Sequence, residues 1–342
     1  MQRIKEILNT LINSFSVSGH ELYGIDAVKS LAGGIFDEIK TDKMGSILLI
    51  KRSNKPNAKK LLIDAHYDTV GMMVTSIKKD GFLSFCSVGG LDTSVLPSTE
   101  VIVRGKENVY GIITSTPPHL STGENKSPKI DSLYIDTGYS KEKAEELISV
   151  GDPVAFKNEI TYISGDYVIS PSLDDKSCLC AIFDACANMS RDEMEFDVYV
   201  TASAQEETGK CGVARVAFDI EPDLAIITDV NFAKMEKDES YECLESGKGA
   251  SIDISAVTDR RVSKNIMKHL TNKGIEYQVV CEPRATSTNA DFVSISGNGI
   301  KTVLMSIPLK SMHTPSESIC LRDIKSLSSI LVSVAYNKSI LD

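Results

Sequence analysis

The sequence has no long uninterrupted apolar run and no excess of basic residues. No stretch approaches the length that spans a membrane, so no membrane partner is expected. The N-terminal segment has apolar residues at helical spacing with charges among them, unlike a secretory signal peptide. The net charge of −10 argues against a nucleic-acid partner, because surfaces that bind phosphates need clustered lysine and arginine. A cytoplasmic protein is the expectation.

Three motif classes are also missing. None of the 8 cysteines forms a CxxC pair, and several lie in apolar runs such as CLCAIFDAC, which predicts reduced core thiols and not disulfides or a thiolate zinc site. There is no GxSxG nucleophile elbow. The segment GKGAS near Gly247 lacks the upstream glycine of a phosphate-binding loop. Serine-nucleophile chemistry and P-loop nucleotide chemistry are therefore set aside.

Four short, β-rich apolar segments are typical of buried parallel strands, and stretches with helical spacing lie between them. These segments are residues 60–65, 196–204, 224–228 and 302–307. One predicted helix begins at Asp175, and another ends at the glycine stop Gly274. Strands alternating with helices predict an α/β domain with a mainly parallel sheet covered by helices on both faces.

Residues 70–161 have a different pattern, rich in glycine, proline and serine. The short strand candidates are GFLSFCSV, STEVIVRG, NVYGIIT and DPVAFKN, with one helical candidate, SKEKAEELIS. Many short strands with turn signals predict a small β-rich domain. Because it separates His66 from Asp174, it is expected to be inserted into an α/β domain made of residues 1–69 and 162–342.

Candidate metal ligands stand at the ends of apolar runs or in the turns that follow them. The candidates are His66, Asp174, Glu207, Asp229 and His313. Parallel strands bring their carboxyl ends to one edge of a sheet, so these segments are expected to meet there. Two divalent ions close together need a bridging carboxylate and a mixed nitrogen and oxygen ligand set, which these residues supply.

Each of these motifs alone is weak. Asp174 could simply cap a helix, the glutamate pair could be a solvated acidic turn, and a single loop histidine is usually no ligand. The interpretation as ligands rests on several separate segments that deliver them to one edge. His20 and His269 are expected to be ordinary surface residues, whereas His119 could reach the active site.

Glu206 and Glu207 are adjacent, so on a regular strand their side chains would point to opposite faces. This argues against a glycosidase, whose two carboxylates flank one bond. At a strand end the turn can bring both into one cavity, where one binds metal and the other acts as general base. Asp68 could contact the second ring nitrogen of His66 and fix its tautomer, and Asp175 is expected to be a supporting residue or a cap.

Taken together, the motifs resemble those of the M42 metallopeptidases, the glutamyl aminopeptidase and deblocking aminopeptidase group. The likeness runs nearly end to end. The motifs that carry it are SVSGHE, AHYDTVGMMV, YGIITSTPPHL, LYIDTGYSKEKAEEL, SLDDKS, AQEETGKCG, TDV and MHTPSE.

The resemblance implies a role for each candidate residue. Asp174 would bridge two ions, His66 and Asp229 would complete one ligand shell, and Glu207 and His313 the other. Glu206 would be the general base and Asp68 the support of His66. The resemblance also implies an α/β catalytic domain, an inserted β-barrel-like domain used in dimerisation, zinc or cobalt as metal, and hollow tetrahedral dodecamers that trim short peptides.

The sequence departs from the family pattern at three motifs. Lys176 and Cys178 stand where the family usually has arginine and glycine, and Asn289 where an aspartate is expected. Lys310 and Ser311 replace the common Arg-Tyr pair. No candidate ligand is changed, so metal binding is expected, and the departures bear on substrate preference and assembly.

The leading functional prediction is a dinuclear metal-dependent aminopeptidase acting on short peptides, with a metal-activated water as nucleophile and Glu206 as general base. One alternative is a metal-dependent amidohydrolase for N-acyl or other small amides, because the motifs indicate amide hydrolysis more firmly than a free α-amine. The other is a metal-binding assembly protein without useful turnover, for which the spare carboxylate of Glu206 would be unnecessary.

Overall fold

A computed structural model of the chain describes residues 1–115, 128–235 and 243–342, and His119 lies outside these residues. The described residues form an eleven-stranded sheet and a closed barrel of six strands. No helix within these ranges is both long and apolar enough to cross a membrane.

The large sheet is mixed. Its strands are β1 (Glu38–Thr41), β2 (Ile47–Lys51), β3 (Lys59–His66), β10 (Thr161–Ile163), β11 (Tyr167–Ser170), β12 (Phe196–Ser203), β13 (Leu224–Phe232), β14 (Ser251–Ser255), β15 (Gln278–Glu282), β16 (Thr302–Lys310) and β17 (Glu317–Cys320). The central four, in the order β12-β3-β13-β16, run parallel, as the sequence predicts for these segments.

The strands that flank this parallel centre pair antiparallel with it, which the sequence did not indicate. β14 pairs antiparallel with β16 and parallel with β15. β1 and β2 extend the sheet on one side, and β17, β11 and β10 on the other. β1 and β10 are largely exposed, so they lack the continuous apolar run that marks a strand buried on both faces.

Helices cover both faces of the sheet. They are α1 (Gln2–Ile12), α2 (Ile25–Ala32), α4 (Leu173–Asn188), α5 (Glu206–Gly209), α6 (Cys211–Ile220), α7 (Arg260–Lys273), α8 (Ala290–Val293) and α9 (Leu321–Ala335). The central strand β3 shows the layering, because Leu61 and Ile63 enter the core with α1, α4 and α9, whereas Leu62 enters the core with α6 and α8.

The two helices predicted from spacing are present. α4 begins at Leu173, slightly before the predicted Asp175, and is buried along most of its length. α7 begins after Asp259, whose side chain accepts hydrogen bonds from two backbone N–H groups, and it ends at Gly274 in a left-handed conformation.

The barrel lies between β3 and β10 in the chain, where the β-rich insertion was predicted. Its strands are β4 (Gly71–Ile77), β5 (Leu83–Val88), β6 (Glu100–Arg104), β7 (Asn108–Thr114), β8 (Tyr134–Asp136) and β9 (Pro153–Phe156), with α3 (Lys141–Leu147) beside them. All its pairings are antiparallel, in the order β4-β5-β8-β7-β6-β9. The domain boundaries at 69/70 and 161/162 stay predictions.

The first strand of the barrel begins with a close packing contact at Gly71. A Cβ atom there would lie 2.7 Å from a methyl group of Val17 and 2.8 Å from the carbonyl oxygen of Val154. Only glycine fits this contact, which lies where β4 begins, shortly after His66.

Candidate metal centre

The candidate ligands meet at the carboxyl edge of the central strands. His66 ends β3, and Asp229 lies in the second half of β13. Glu207 lies in α5, just after β12, and His313 lies in the loop after β16. Asp174 is in the first turn of α4, where the backbone is not helical and the Asp174–Asp175 peptide is cis.

One group of possible metal donors consists of His66, Asp174 and Asp229, all buried. His66 Nε2 lies 3.1 Å from Asp174 Oδ1 and 3.9 Å from Asp229 Oδ1. The other ring nitrogen, Nδ1, is 2.9 Å from the carbonyl oxygen of Asp68. Because Nδ1–H can donate to this carbonyl, the Nε2 lone pair is left to face the carboxylates, as a metal ligand requires.

The second group consists of Asp174, Glu207 and His313. His313 Nε2 lies 3.3 Å from Asp174 Oδ2 and 3.5 Å from Glu207 Oε2. Asp174 thus turns one carboxylate oxygen to each group. A single carboxylate with this arrangement can bridge two cations.

The electrostatics of the two groups fit divalent cations. Burial raises the pKa of Asp229 and of Glu207, and the charge of Asp174 raises both further. Burial acts the same way on Asp174, but hydrogen bonds from His313 and His66 outweigh it and lower its pKa. Glu207 Oε1 is buried without a hydrogen-bond partner among the described residues. Buried carboxylates need compensating positive charge, and imidazole with carboxylate suits zinc-like ions.

Glu206 lies beside the two groups but belongs to neither. Its side chain is nearly buried, and Oε1 is 3.0 Å from the Nζ atom of Lys210. Burial lowers the pKa of Lys210, but the negative charge of Glu206 raises it more, so that the pKa of Lys210 is above its ordinary value. Glu206 is therefore a carboxylate in the same cavity as the candidate ligands, paired with a cation.

Asp68 contacts His66 through its backbone carbonyl. Its side chain contacts the turn that carries Glu206 and Glu207. Its carboxylate oxygen Oδ1 is 3.6 Å from His66 Nδ1, beyond hydrogen-bond range, whereas its carbonyl oxygen is within range. The carboxylate accepts the backbone N–H groups of Glu206 and Glu207, at 3.1 and 3.2 Å. The predicted contact with the ring is therefore made by the main chain.

The turn before α5 brings both glutamates toward the cavity. Gln205 has a φ of 58°, in the left-handed region. This turn ends the pattern in which successive side chains of β12 point to opposite faces of the sheet. Its N–H donates to Oε1 of the buried Glu21 at 3.0 Å. Glu21 lies in the SVSGHE motif, but its residue type alone gives no indication of this contact.

A second carboxylate that the sequence analysis missed is Glu317. It is buried and accepts backbone N–H groups from both the start of α4 and the His313 loop. In the sequence, an acidic residue between two serines is typical of a solvated turn. Only the position of Glu317 in the MHTPSES segment, close to His313, indicates that it could belong to the site.

The two groups open onto a cavity of about 670 Å³. Its other walls come from residues 282–288, Asn231, Phe232 and Met312. The barrel contributes Gly90, where a Cβ atom would lie 3.4 Å from His313 Nδ1. The β5–β6 loop of the inserted barrel is therefore part of the cavity wall.

The departures from the family pattern have local partners. Lys176 is buried and donates to the carbonyl of Ser14, and burial lowers its pKa to about 7. The amide of Asn289 donates to Asp64 Oδ2 at 2.8 Å and to Ser203 Oγ at 3.0 Å. An aspartate at 289 would face the buried carboxylate of Asp64, so the amide is the compatible side chain here.

The remaining departures and histidines lie elsewhere. Cys178 is a buried thiol in α4, and Lys310 and Ser311 lie between β16 and His313. His269 is half-buried and bonds Ser333 and Asn337, so it is not an ordinary surface residue as expected. In the described part of the chain, neither His20 nor His269 joins the two donor groups.

Comparison with known proteins identifies the same family in sequence and in structure. The family model described as M42 glutamyl aminopeptidase matches residues 45–330. A lysyl aminopeptidase of Pyrococcus furiosus is 34% identical over 330 residues, covering 93% of both chains. An aminopeptidase from the archaeon Desulfurococcus kamchatkensis superimposes with a TM-score of 0.91 at 27% identity, over 99% of this chain and 97% of that one.

A further solved structure is a TET1 peptidase of Pyrococcus horikoshii that can assemble into a tetrahedron or a large octahedral shell. It matches with a TM-score of 0.86 and 27% identity, over 97% of this chain and 99% of that one.

Proposed function

The chain belongs to the M42 glutamyl aminopeptidase family and is therefore an aminopeptidase, and we propose that it trims short peptides with two divalent metal ions. The observation that carries this proposal is the position of Asp174. Its Oδ1 faces His66 Nε2 at 3.1 Å, and its Oδ2 faces His313 Nε2 at 3.3 Å. Because this one carboxylate belongs to both donor groups, the arrangement favours a site with two ions and not a site with one.

In this proposal Asp174 would contribute to both metal sites. His66 and Asp229 would complete one site, and Glu207 and His313 would complete the other. The mixed imidazole and carboxylate set supports zinc or cobalt. When bound, the ions would supply Lewis-acid activation of the scissile carbonyl and of the attacking water.

Glu206 acts as the general base. Its carboxylate accepts a proton from the attacking water and passes it to the amine nitrogen of the leaving peptide. Lys210, with its Nζ 3.0 Å from Glu206 Oε1, holds the carboxylate in the cavity. Asp68 supports the reaction indirectly, by orienting the ring of His66 and the turn that carries Glu206.

The same proposal includes assembly and location. The inserted barrel exposes Tyr110 and Ile112 on β7, at 64% and 41% of their surface, which supports a contact between barrels of two subunits. The tetrahedron or octahedral shell of the TET1 peptidase, and the dodecamer of a second TET1 structure, support a larger closed particle such as a dodecamer that would exclude folded proteins. Residence in the cytoplasm is proposed from the sequence alone.

The test measures metal content and activity together. Chelation should abolish hydrolysis of aminoacyl amides, and zinc or cobalt should restore it in step with the binding of two ions per chain. N-acyl amides serve as the matched comparison, and they should resist cleavage. Full activity in a metal-free sample would refute the proposal, and cleavage of N-acyl amides only would support an amidohydrolase instead.

A further inference from the structure

Glu317 is a buried carboxylate that contacts the main chain of two proposed ligands. It begins β17, is 1% exposed, and lies opposite Ser170 in the register between β17 and β11. Because β11 leads into α4, this position brings the Glu317 side chain to the first turn of that helix.

Three backbone N–H groups converge on this carboxylate. Oε2 accepts from Leu173 N at 2.7 Å and from Asp174 N at 3.1 Å. Oε1 accepts from His313 N at 2.8 Å. One oxygen therefore holds the Asp174 segment and the other holds the His313 segment, so the side chain joins two segments far apart in sequence.

His313 needs this support because its own backbone is unfavourable. Its φ of 60° lies in the left-handed region, as does the φ of 58° at Ser311 in the same loop. Non-glycine residues hold this conformation only where the surroundings enforce it. The hydrogen bond from His313 N to Glu317 Oε1, at 2.8 Å, is such an enforcing contact.

We propose that Glu317 is a positioning residue that fixes the separation of Asp174 and His313, and thereby the affinity of the second metal ion. The inference rests on the proposed two-ion function. Glu317 itself is not a ligand, since its oxygens already face three N–H donors. Its effect falls on the group of Asp174, Glu207 and His313, because only that group contains both of the segments it joins.

The Glu317→Gln variant separates this role from general stabilisation. Glutamine keeps one acceptor oxygen and presents an NH₂ group in place of the other. The oxygen is expected to stay with the two donors of Leu173 and Asp174, which leaves the NH₂ group against the N–H of His313. The His313 segment loses its anchor, whereas His66, Asp174 and Asp229 keep theirs.

Asp323 provides a matched control. It is fully buried at the start of α9, and its two oxygens accept N–H groups from Gly247 and Gly249, each at 2.7 Å. Asp323→Asn creates the same conflict of two donors without touching either metal group. It should lower stability in a similar way and leave metal affinity unchanged.

The experiment titrates metal-stripped wild type, Glu317→Gln, Glu317→Asp and Asp323→Asn with zinc by calorimetry, and checks each fold by circular dichroism. The wild type and Asp323→Asn should bind two ions. Glu317→Gln should keep one at wild-type affinity and bind the other about 10- to 100-fold more weakly, the usual effect of removing a partner that orients a ligand. The aspartate of Glu317→Asp is too short to reach both segments, so this variant should also bind one ion at wild-type affinity and the other more weakly. It replaces Glu317→Gln if that variant does not fold.

The outcomes distinguish two failures. If the wild type binds no ion, the proposed function itself is wrong. If the wild type binds two ions and the folded Glu317 variants bind both with unchanged affinity, the positioning role alone is overturned. An equal loss of affinity for both ions, with the same loss in Asp323→Asn, would also overturn the positioning role, because Glu317 would then only stabilise the fold.

Discussion

Replacing Glu206 by glutamine should separate catalysis from metal binding. Glutamine has the same shape and keeps the backbone N–H bond to Asp68, but it loses the ability to take up a proton and the charge that pairs with Lys210. Glu206 lies outside both donor groups, so both ions should remain bound. We expect kcat to fall while the metal content stays at the wild-type level.

The magnitude follows from the role of a general base. Such a group contributes about 10²- to 10⁴-fold in rate, which is roughly 3–5 kcal/mol of activation free energy. Loss of the ion pair with Lys210 adds little to the change in stability, because an ion pair that is still partly exposed on the lysine side is worth about 1 kcal/mol or less. The variant should therefore unfold near the wild-type temperature.

The neighbouring Glu207→Gln variant should behave in the opposite way. Glu207 is in the second donor group, so the affinity for one ion should fall. Without metal, burial and then the charge of Asp174 raise the pKa of Glu207, so removing its charge should not destabilise the metal-stripped protein. Glu145→Gln, which breaks an exposed ion pair with Lys141, is the control for loss of a charge alone.

The assay combines single-turnover kinetics on an aminoacyl amide, metal analysis and thermal unfolding with and without zinc. Loss of an ion from Glu206→Gln together with full metal content in Glu207→Gln would exchange the two roles. A kcat for Glu206→Gln within about tenfold of the wild type would refute the general-base assignment, since that factor is below the usual contribution.

Three further predictions concern the cavity wall, a buried acid and the barrel surface. Gly90→Val should lower kcat/KM more than Gly90→Ala does. A Cβ atom at this position would lie 3.4 Å from His313 Nδ1, and the methyl groups of valine would crowd the histidine ring further. Equal activity of the two variants would contradict this. Burial raises the pKa of Asp253 to about 6, so its stabilising contribution should be lost as the pH rises from about 4 through 6. The stability of the wild type relative to Asp253→Asn should thus fall by about 3 kcal/mol between about pH 3 and about pH 7 in chemical denaturation, and a flat difference would refute it. Tyr110→Glu should lower the particle mass in light scattering without lowering kcat on a small amide, and an unchanged mass would exclude this residue from the interface.

The central strands could be predicted because burial on both faces forces a continuous apolar run. The segments around Leu62 and Ile226 carry that run, and both lie in the parallel centre of the sheet. The antiparallel outer strands could not be predicted in the same way. β10 has only three residues and is exposed along its length, so although these residue types favour strands it carries no buried apolar run.

The ligand candidates were accessible from the sequence because their position at strand ends is a local property. The supporting carboxylates were not, because their role depends on partners distant in the chain. Glu317 contacts Asp174, and Glu21 contacts Gln205, through the main-chain N–H of the partner. A backbone donor leaves no mark on residue type, so only the fold reveals these contacts.

The arrangement of these carboxylates connects metal affinity to stability. Asp68, Glu21 and Glu317 each accept hydrogen bonds from backbone N–H groups, which hold the ligand segments in fixed positions. Burial raises the pKa of these three carboxylates. It also raises the pKa of Asp229 and Glu207, where the nearby charge of Asp174 raises it further. Their ionised forms oppose folding until positive charge balances them. Cation binding would therefore stabilise the folded chain and select the reactive geometry in the same step, because both depend on the same buried carboxylates.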